Sequence, residues 1–179
     1  MSDTLLDTLG IRPAVSADLA RLSEIYAWHV LNGAASFEEQ PPERAEFERR
    51  WRAVVELGLP YLVACDRTGP IGYAYAAPYR PRSAYRFTVE DSIYLDRAAT
   101  GRGVGRRLLG AVIEGATAAG KRQMLAVIGD SANAASIGLH LRLGFTPVGT
   151  FRAVGFKFDR WVDSVLMQRA LGPGDTALP

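Results

Sequence analysis

Thr100-Gly101-Arg102-Gly103-Val104-Gly105-Arg106-Arg107-Leu108-Leu109 places three glycines at alternate positions between an apolar run and an amphipathic helix. Glycine lets the backbone turn left-handed and come close to a ligand. A helix N-terminus adds unpaired N–H groups and the positive end of its dipole. Arg97, Arg102, Arg106 and Arg107 supply four positive side chains, with no acid after them until Glu114. The segment reads as an anion site of diphosphate size. It is not a Walker loop, which needs Lys-Ser/Thr where Arg106-Arg107 stands. Nor is it a dinucleotide fingerprint, which needs G-x-G-x-x-G after the first strand and an acid about twenty residues on. The plainer alternative is a solvated arginine cluster on a glycine-rich turn. Position favours the anion site, because the turn follows a third or later strand and opens a long helix.

Outward from this turn, the helix runs from Gly103 to Ala119 with Val104, Leu108, Val112 and Ala116 on one stripe. Upstream, Val89–Leu95 reads as a strand. Downstream, the wholly apolar core of Gln123–Ile128 predicts a strand buried on both faces. Strand, helix, strand at this spacing is a parallel crossover. Tyr61–Asp66 and Ile71–Ala77 are β-rich runs joined by the turn Arg67-Thr68-Gly69-Pro70. Before them, Ile11–Ala14 suggests a short strand. A helix capped by Ser16 or Asp18 then runs to about Leu31, and a second begins after Pro41-Pro42 and closes at Gly58. After them come a helix from about Asn133 to Leu143 and two strands, roughly Thr146–Val154 and Val162–Leu171. The whole is an α/β (α+β) domain over residues 11–171, with flexible termini expected at 1–10 and 172–179.

Composition narrows the function classes. The 179 residues fit one domain. Twenty-one basic against 19 acidic residues give a net charge of +2, too balanced for a non-specific nucleic-acid binder. The longest apolar candidate, Ile71–Tyr79, contains Gly and Pro and is too short to span a membrane. MSDTLLDTLG lacks the basic start of a signal peptide, so a cytoplasmic protein is expected. The single Cys65 excludes an internal disulfide framework and reads as a small core hydrophobe. No metal-ligand cluster is visible, so no metal is expected.

The loop Thr100–Gly105 resembles the pyrophosphate loop of the GNAT N-acetyltransferase superfamily, Q/R-x-x-G-x-G/A, with Thr100 in place of the usual Gln or Arg. Four blocks in order are similar to the phosphinothricin and methionine sulfoximine acetyltransferase branch. They are Thr88–Tyr94 (TVEDSIY), Ala126–Ile128, Asn133–His140 (NAASIGLH) and Gly155–Trp161 (GFKFDRW). The similarity runs from about Ile11 to Leu171. It implies a GNAT fold: a central mixed, mostly antiparallel sheet flanked by helices, with a splayed parallel strand pair holding acetyl-CoA. It also implies a homodimer with the acceptor site near the subunit boundary. The large apolar residues Phe37, Phe151, Phe156, Phe158 and Trp161 suit such an interface.

Acetyl transfer to an amine needs a base for the ammonium proton, a donor for the developing oxyanion, and a group to receive the leaving thiolate. Glu90 matches the family's catalytic glutamate and is expected to act through a water. Strand alternation puts Glu90, Ser92 and Tyr94 on one face and Asp91, Ile93 and Leu95 on the other. The resemblance assigns the main chain of Ile93, Tyr94 and Leu95 to the pantetheine arm, with one N–H as oxyanion donor. It assigns Gly101, Arg102, Gly103, Val104, Gly105 and Arg106 to the pyrophosphate. Asn133, with Ser136 beside it, would contact the pantetheine while capping a helix. His140 stands where many relatives have a tyrosine acid, and would protonate the thiolate or relay the amine proton. His29 is expected to be structural.

The acceptor pocket is expected from Pro78–Thr88 and the segment around Phe37. Arg80, Arg82 and Arg86 would clamp a carboxylate and a phosphinate or sulfone, as the forked guanidinium suits, with Tyr85 and Phe37 as apolar wall. The expected substrate is the amino group of a small amino acid or analogue. A protein N-terminus, a polyamine or an aminoglycoside is the alternative amine, and a non-catalytic acyl-CoA sensor the alternative class. The arginine-rich loop disfavours a cationic antibiotic; Glu90 and His140 together disfavour the sensor.

Overall fold

The computed structural model describes residues 8–179. Its strands are β1 (Gly10–Pro13), β2 (Tyr61–Asp66), β3 (Gly69–Pro78), β4 (Thr88–Leu95), β5 (Gln123–Gly129), β6 (Thr146–Lys157) and β7 (Arg160–Ala170). Its α-helices are α1 (Leu19–Asn32), α2 (Arg44–Glu56), α3 (Val104–Ala118) and α4 (Ala134–Arg142). One seven-stranded sheet runs β1-β2-β3-β4-β5-β7-β6. Every neighbouring pair is antiparallel except β4 and β5, which the crossover through α3 makes parallel.

Alternation along β4 assigns the helices to faces. Tyr94 packs edge-on against Tyr26 of α1, and Tyr26 and Tyr73 both meet Phe47 of α2. On the opposite face Asp91 meets His140 of α4, and the side chains of Ile93 and Leu95 lie beside Gly105 of α3. The expected stripe of α3 is the core contact: Val104, Leu108, Val112 and Ala116 are all fully buried. Asp18 precedes α1 but does not cap it through a helix N–H. Its carboxylate instead accepts from the Val15 N–H at 2.9 Å and from Arg12 at 2.7 and 2.8 Å, bracing the turn after β1.

Three expectations change. β5 is not buried on both faces: Met124, Ala126 and Ile128 are buried, but Leu125 is half-buried and Val127 exposed. Leu125 pairs with Glu90, so this open side is the face of α1 and α2, which pack over β2–β4 and stop short of β5. The C-terminal strands are longer than expected and meet at Phe158-Asp159. Those two residues have φ of 53° and 55°, the left-handed pair a two-residue hairpin uses. Of the stretch 1–10 expected to be flexible, residues 1–7 lie outside the described ones, while Leu9 is buried in the core and Gly10 opens β1. The tail after Leu171 turns back on the domain. The Gly174 N–H donates to the Leu171 carbonyl at 2.9 Å, and Arg122 donates to the Leu178 carbonyl at 2.9 Å.

Candidate active site

The site begins where the parallel pair comes apart. β4 and β5 are paired only from Thr88–Gln123 to Asp91–Ala126. Beyond Asp91 they diverge and leave an opening lined by Asp91, Ser92, Ile93, Tyr94, Ala126–Gly129, Asn133, Ser136 and His140, with Ala35 at its edge. A separated strand pair exposes main-chain N–H and C=O groups inside the sheet, where unpaired polar groups are costly. The opening therefore suits a ligand with amide groups that can stand in for the missing strand.

On the α3 and α4 side, the glycine turn stands at the head of α3. Gly101 and Gly103 have φ of 74° and 80°, and nothing lies within 4 Å of where a side chain on Gly101 would begin. Gly103 leads directly into α3, whose first N–H groups have no intrahelical acceptor. The result is an open, left-handed cradle on a helix N-terminus, fitting a pyrophosphate. Gly105 is buried between the side chains of Leu95 and Leu139, where the absence of a side chain lets α3 pack close to its neighbours. Arg102 and Arg106 are exposed around it. Thr100 turns its hydroxyl back to the Arg97 carbonyl at 2.7 Å. Asn133 caps α4, its side-chain oxygen accepting from the Ser136 N–H at 3.1 Å.

Deeper in the opening lies a pair that sequence reading did not assemble. His140 is buried, with Nδ1 2.7 Å from the Ser136 carbonyl and Nε2 3.0 Å from Asp91 Oδ2. Both ring nitrogens face acceptors, which the imidazolium satisfies by donating twice. Burial pulls the His140 pKa down, but the hydrogen bond and charge of Asp91 outweigh it, and the net shift is upward. The other Asp91 oxygen, Oδ1, is buried with no hydrogen-bond partner among the described residues. A buried acceptor left unpaired on a cleft wall calls for a donor from a ligand. The open glycine cradle and this orphan oxygen both match a long donor carrying phosphates at one end and amides along its arm.

On the α1 and α2 side stands Glu90. It pairs with Ala77 of β3, and its neighbour Ser92 pairs with Tyr75. Desolvation, and then the nearby charge of Asp91, push its carboxyl up to about 6. Such a carboxylate is ionised at neutral pH yet basic enough to take a proton. Next to it is a cavity of about 310 Å³ walled by Tyr26, Phe47, Tyr61, Tyr73, Tyr75 and Ala77. Tyr61 stacks on both Tyr73 and Tyr75, at 5.6 and 4.8 Å between centroids. The alternate tyrosines of Gly72-Tyr73-Ala74-Tyr75 were the available signal for this wall, since alternate strand residues share a face.

The acceptor loop is arranged differently from the expectation. The guanidinium of Arg80 lies over the Tyr79 ring at 5.1 Å and that of Arg86 over Phe87 at 4.6 Å. Arg82 is exposed at the start of a short 3₁₀ turn, Ser83–Tyr85, and Tyr85 packs edge-on against Tyr79. These side chains line neither the sheet opening nor the aromatic cavity. Phe37 does approach the opening, packed against Gly129 at the end of β5. Cys65 is half-buried in β2, its thiol pushed up by desolvation. His29 Nε2 lies 2.8 Å from the Leu95 carbonyl, a structural contact. Among the described residues, no group of three or more His, Cys, Asp or Glu is placed to hold a metal ion.

Comparison with known proteins gives the same answer as this geometry. The acetyltransferase (GNAT) domain family matches residues 11–166. A phosphinothricin N-acetyltransferase from Alcaligenes faecalis is 53% identical over 170 residues, covering 94% of this chain and 86% of that one. An L-methionine sulfoximine/L-methionine sulfone acetyltransferase from Pseudomonas paraeruginosa is 44% identical, covering 93% and 97%. A crystal structure of a phosphinothricin acetyltransferase from Sinorhizobium meliloti in complex with acetyl-CoA superposes with a TM-score of 0.93 at 50% identity, covering 96% and 93%. The chain is an acetyl-CoA-dependent N-acetyltransferase of the GNAT family, on the branch that includes the phosphinothricin and methionine sulfoximine enzymes.

Proposed function

We propose that this enzyme acetylates the amino group of a small amino acid or analogue of the phosphinothricin or methionine sulfoximine kind, with Glu90 as general base. The observation that carries the reading is the Glu90 carboxyl, raised to about 6 beside an opening in the sheet. Acetyl-CoA supplies an activated acetyl thioester. Gly101, Arg102, Gly103, Val104, Gly105 and Arg106 hold its pyrophosphate; the β4 main chain at Ile93–Leu95, with Asn133 and Ser136, holds its arm.

The two faces of β4 then divide the work. The donor lies along the α3 and α4 side, and the amine approaches from the α1 and α2 side. Glu90 Oε takes the ammonium proton through a water, freeing the lone pair. Past Asp91 the main chain of β4 has no β5 partner, so an N–H there is available to the oxygen that becomes negative on attack. His140, donating to Ser136 and Asp91, places positive charge beside the leaving sulfur and gives up a proton only by releasing one of those bonds.

For the acceptor, Arg80, Arg82 and Arg86 take the carboxylate and phosphinate or sulfone, with Tyr85 and Phe37 as wall. Loop movement or a second subunit brings the arginines in. A second copy is supported by the edge hairpin β6–β7, where Val148, Phe151, Val154, Phe156, Phe158 and Trp161 are each more than half exposed. They do not pack into the chain's own core, and a long apolar edge needs cover. Light scattering should give twice 19.4 kDa; a monomer at micromolar concentration would reject the dimer. With one cysteine and an intracellular metabolite as donor, the cytoplasm is the fitting compartment.

A thiol-release assay with acetyl-CoA over a panel of amines tests the substrate class. Methionine sulfoximine, methionine sulfone and phosphinothricin should be turned over, and polyamines, aminoglycosides and peptide N-termini should not. Turnover of only the latter group would reject the assignment, and no turnover of any amine would favour a sensor.

A further inference from the structure

The block Gly155–Trp161 has no part in the donor side of the site, yet one of its residues is bonded with unusual completeness. Lys157, at the end of β6, is 3% exposed. Its ammonium donates to the carbonyls of Val30 at 2.7 Å, Gly33 at 2.8 Å and Ser36 at 2.7 Å. An ammonium has three N–H donors, and all three are used. Val30 is in the last turn of α1, where carbonyls lack intrahelical partners and the dipole is negative. Gly33 and Ser36 belong to the loop that follows. Among the described residues no carboxylate is bonded to the ammonium in this cage, and burying an ammonium is costly unless it is fully bonded. A methionine would fill the same space but leave the three carbonyls without this donor, so the lysine ties the loop rather than merely filling volume.

Two close approaches hold the same loop. A Cβ on Gly155 would lie 2.4 Å from the Phe37 ring. One on Gly129, the last residue of β5, would lie 1.8 Å from the Ala34 carbonyl oxygen and 2.9 Å from Phe37. Either side chain would push the loop off the sheet. Between these anchors Ala35 forms one edge of the opening.

We propose that Lys157 is a positioning residue of the acceptor side: its caged ammonium fixes the loop carrying Ala35 and Phe37 against the lip of the sheet opening. This rests on the reading that donor and acceptor meet in that opening. The full-length variant Lys157→Met should raise the KM for the amine about tenfold or more, the scale of a displaced recognition element. Its kcat at saturating amine and its affinity for acetyl-CoA by calorimetry should stay within about twofold. Amides of residues 33–38 should exchange faster in hydrogen–deuterium measurements. Gly155→Ala keeps the lysine but expels Phe37, and should give the same KM signature, which preserves the test should Lys157→Met fail to fold. In the double variant Lys157→Met with Phe37→Ala, the KM should rise no further than in the worse single variant, because both act through one loop. An unmoved amine KM in Gly155→Ala and in any folded Lys157→Met, or multiplied effects in the double variant, would overturn the assignment. If the opening is not the reaction site at all, the wild-type chain shows no amine-dependent thiol release, a failure distinct from a variant with an unmoved KM.

Discussion

The two sides of β4 are built by different means. On the α3 and α4 side the working parts are local, apart from the Asp91–His140 pair. The cradle is a run of six residues, Thr100–Gly105, and the helix cap joins residues three apart, Asn133 and Ser136. On the α1 and α2 side the parts come from distant segments: Glu90 from β4, tyrosines from α1, β2 and β3, Phe37 from a loop, and Lys157 from the C-terminal hairpin. The donor side relies on backbone conformation, which a short sequence fixes. The acceptor side relies on side chains, each positioned by tertiary contacts. Donor binding should therefore be robust to single substitutions on the α1 and α2 face, while turnover and acceptor choice should not.

The largest expected effect separates the two sides outright. Glu90→Gln keeps size and hydrogen bonding but removes basicity, so turnover should fall about 10²–10⁴-fold. Acetyl-CoA affinity should stay near that of the wild type by calorimetry. A comparable loss of donor affinity would show that the two faces are not separable; an unchanged turnover would remove Glu90 from the chemistry.

A smaller effect is expected from the pair on the other face. Asp91→Asn removes the charge that holds the His140 pKa up, leaving burial opposed chiefly by the smaller effect of the Ser136 carbonyl, so the ring should titrate below its ordinary 6.5. In the wild type the raised pKa means that the pair's contribution to stability is complete below 6.5 and is lost as pH rises through the folded value. The variant should lack that dependence, and its turnover should fall about tenfold as the positive charge beside the thiolate is lost. An NMR titration of the His140 ring measures the first; a ring pKa that stays raised in Asp91→Asn would show that Asp91 is not its source.

The same division explains what could be read from the sequence. The glycine turn, the α3 stripe and the β4 alternation are periodic or contiguous signals, and the structure has them where the spacing puts them. Glu90 was singled out by resemblance, since one carboxylate on a strand carries no signal of its own. The Asp91–His140 pair joins residues 49 apart and the Lys157 cage spans 127 positions, and no local pattern records such a meeting. The exposed side of β5 was unreadable for a related reason: an apolar run shows what is available to bury, not whether a helix arrives to cover it. The β6–β7 connection was expected over 155–161, but its two-residue tightness was not legible because Phe158 and Asp159 take positive φ without glycine.

The central claim is that a carboxylate on the α1 and α2 face deprotonates the amine. Its most direct test is the pH dependence of kcat/KM for the amine at saturating acetyl-CoA. Glu90 takes its proton from the bound ammonium, so log kcat/KM should be level between the Glu90 value of about 6 and the substrate's own pKa. Below about 6 the carboxylate is lost and the profile should fall with a slope of about one. The account predicts this break in the wild type; Glu90→Gln has no base, needs the free amine, and should climb with a slope of about one through the whole range. A wild-type profile with no break near 6, or a break that survives in Glu90→Gln, would contradict it.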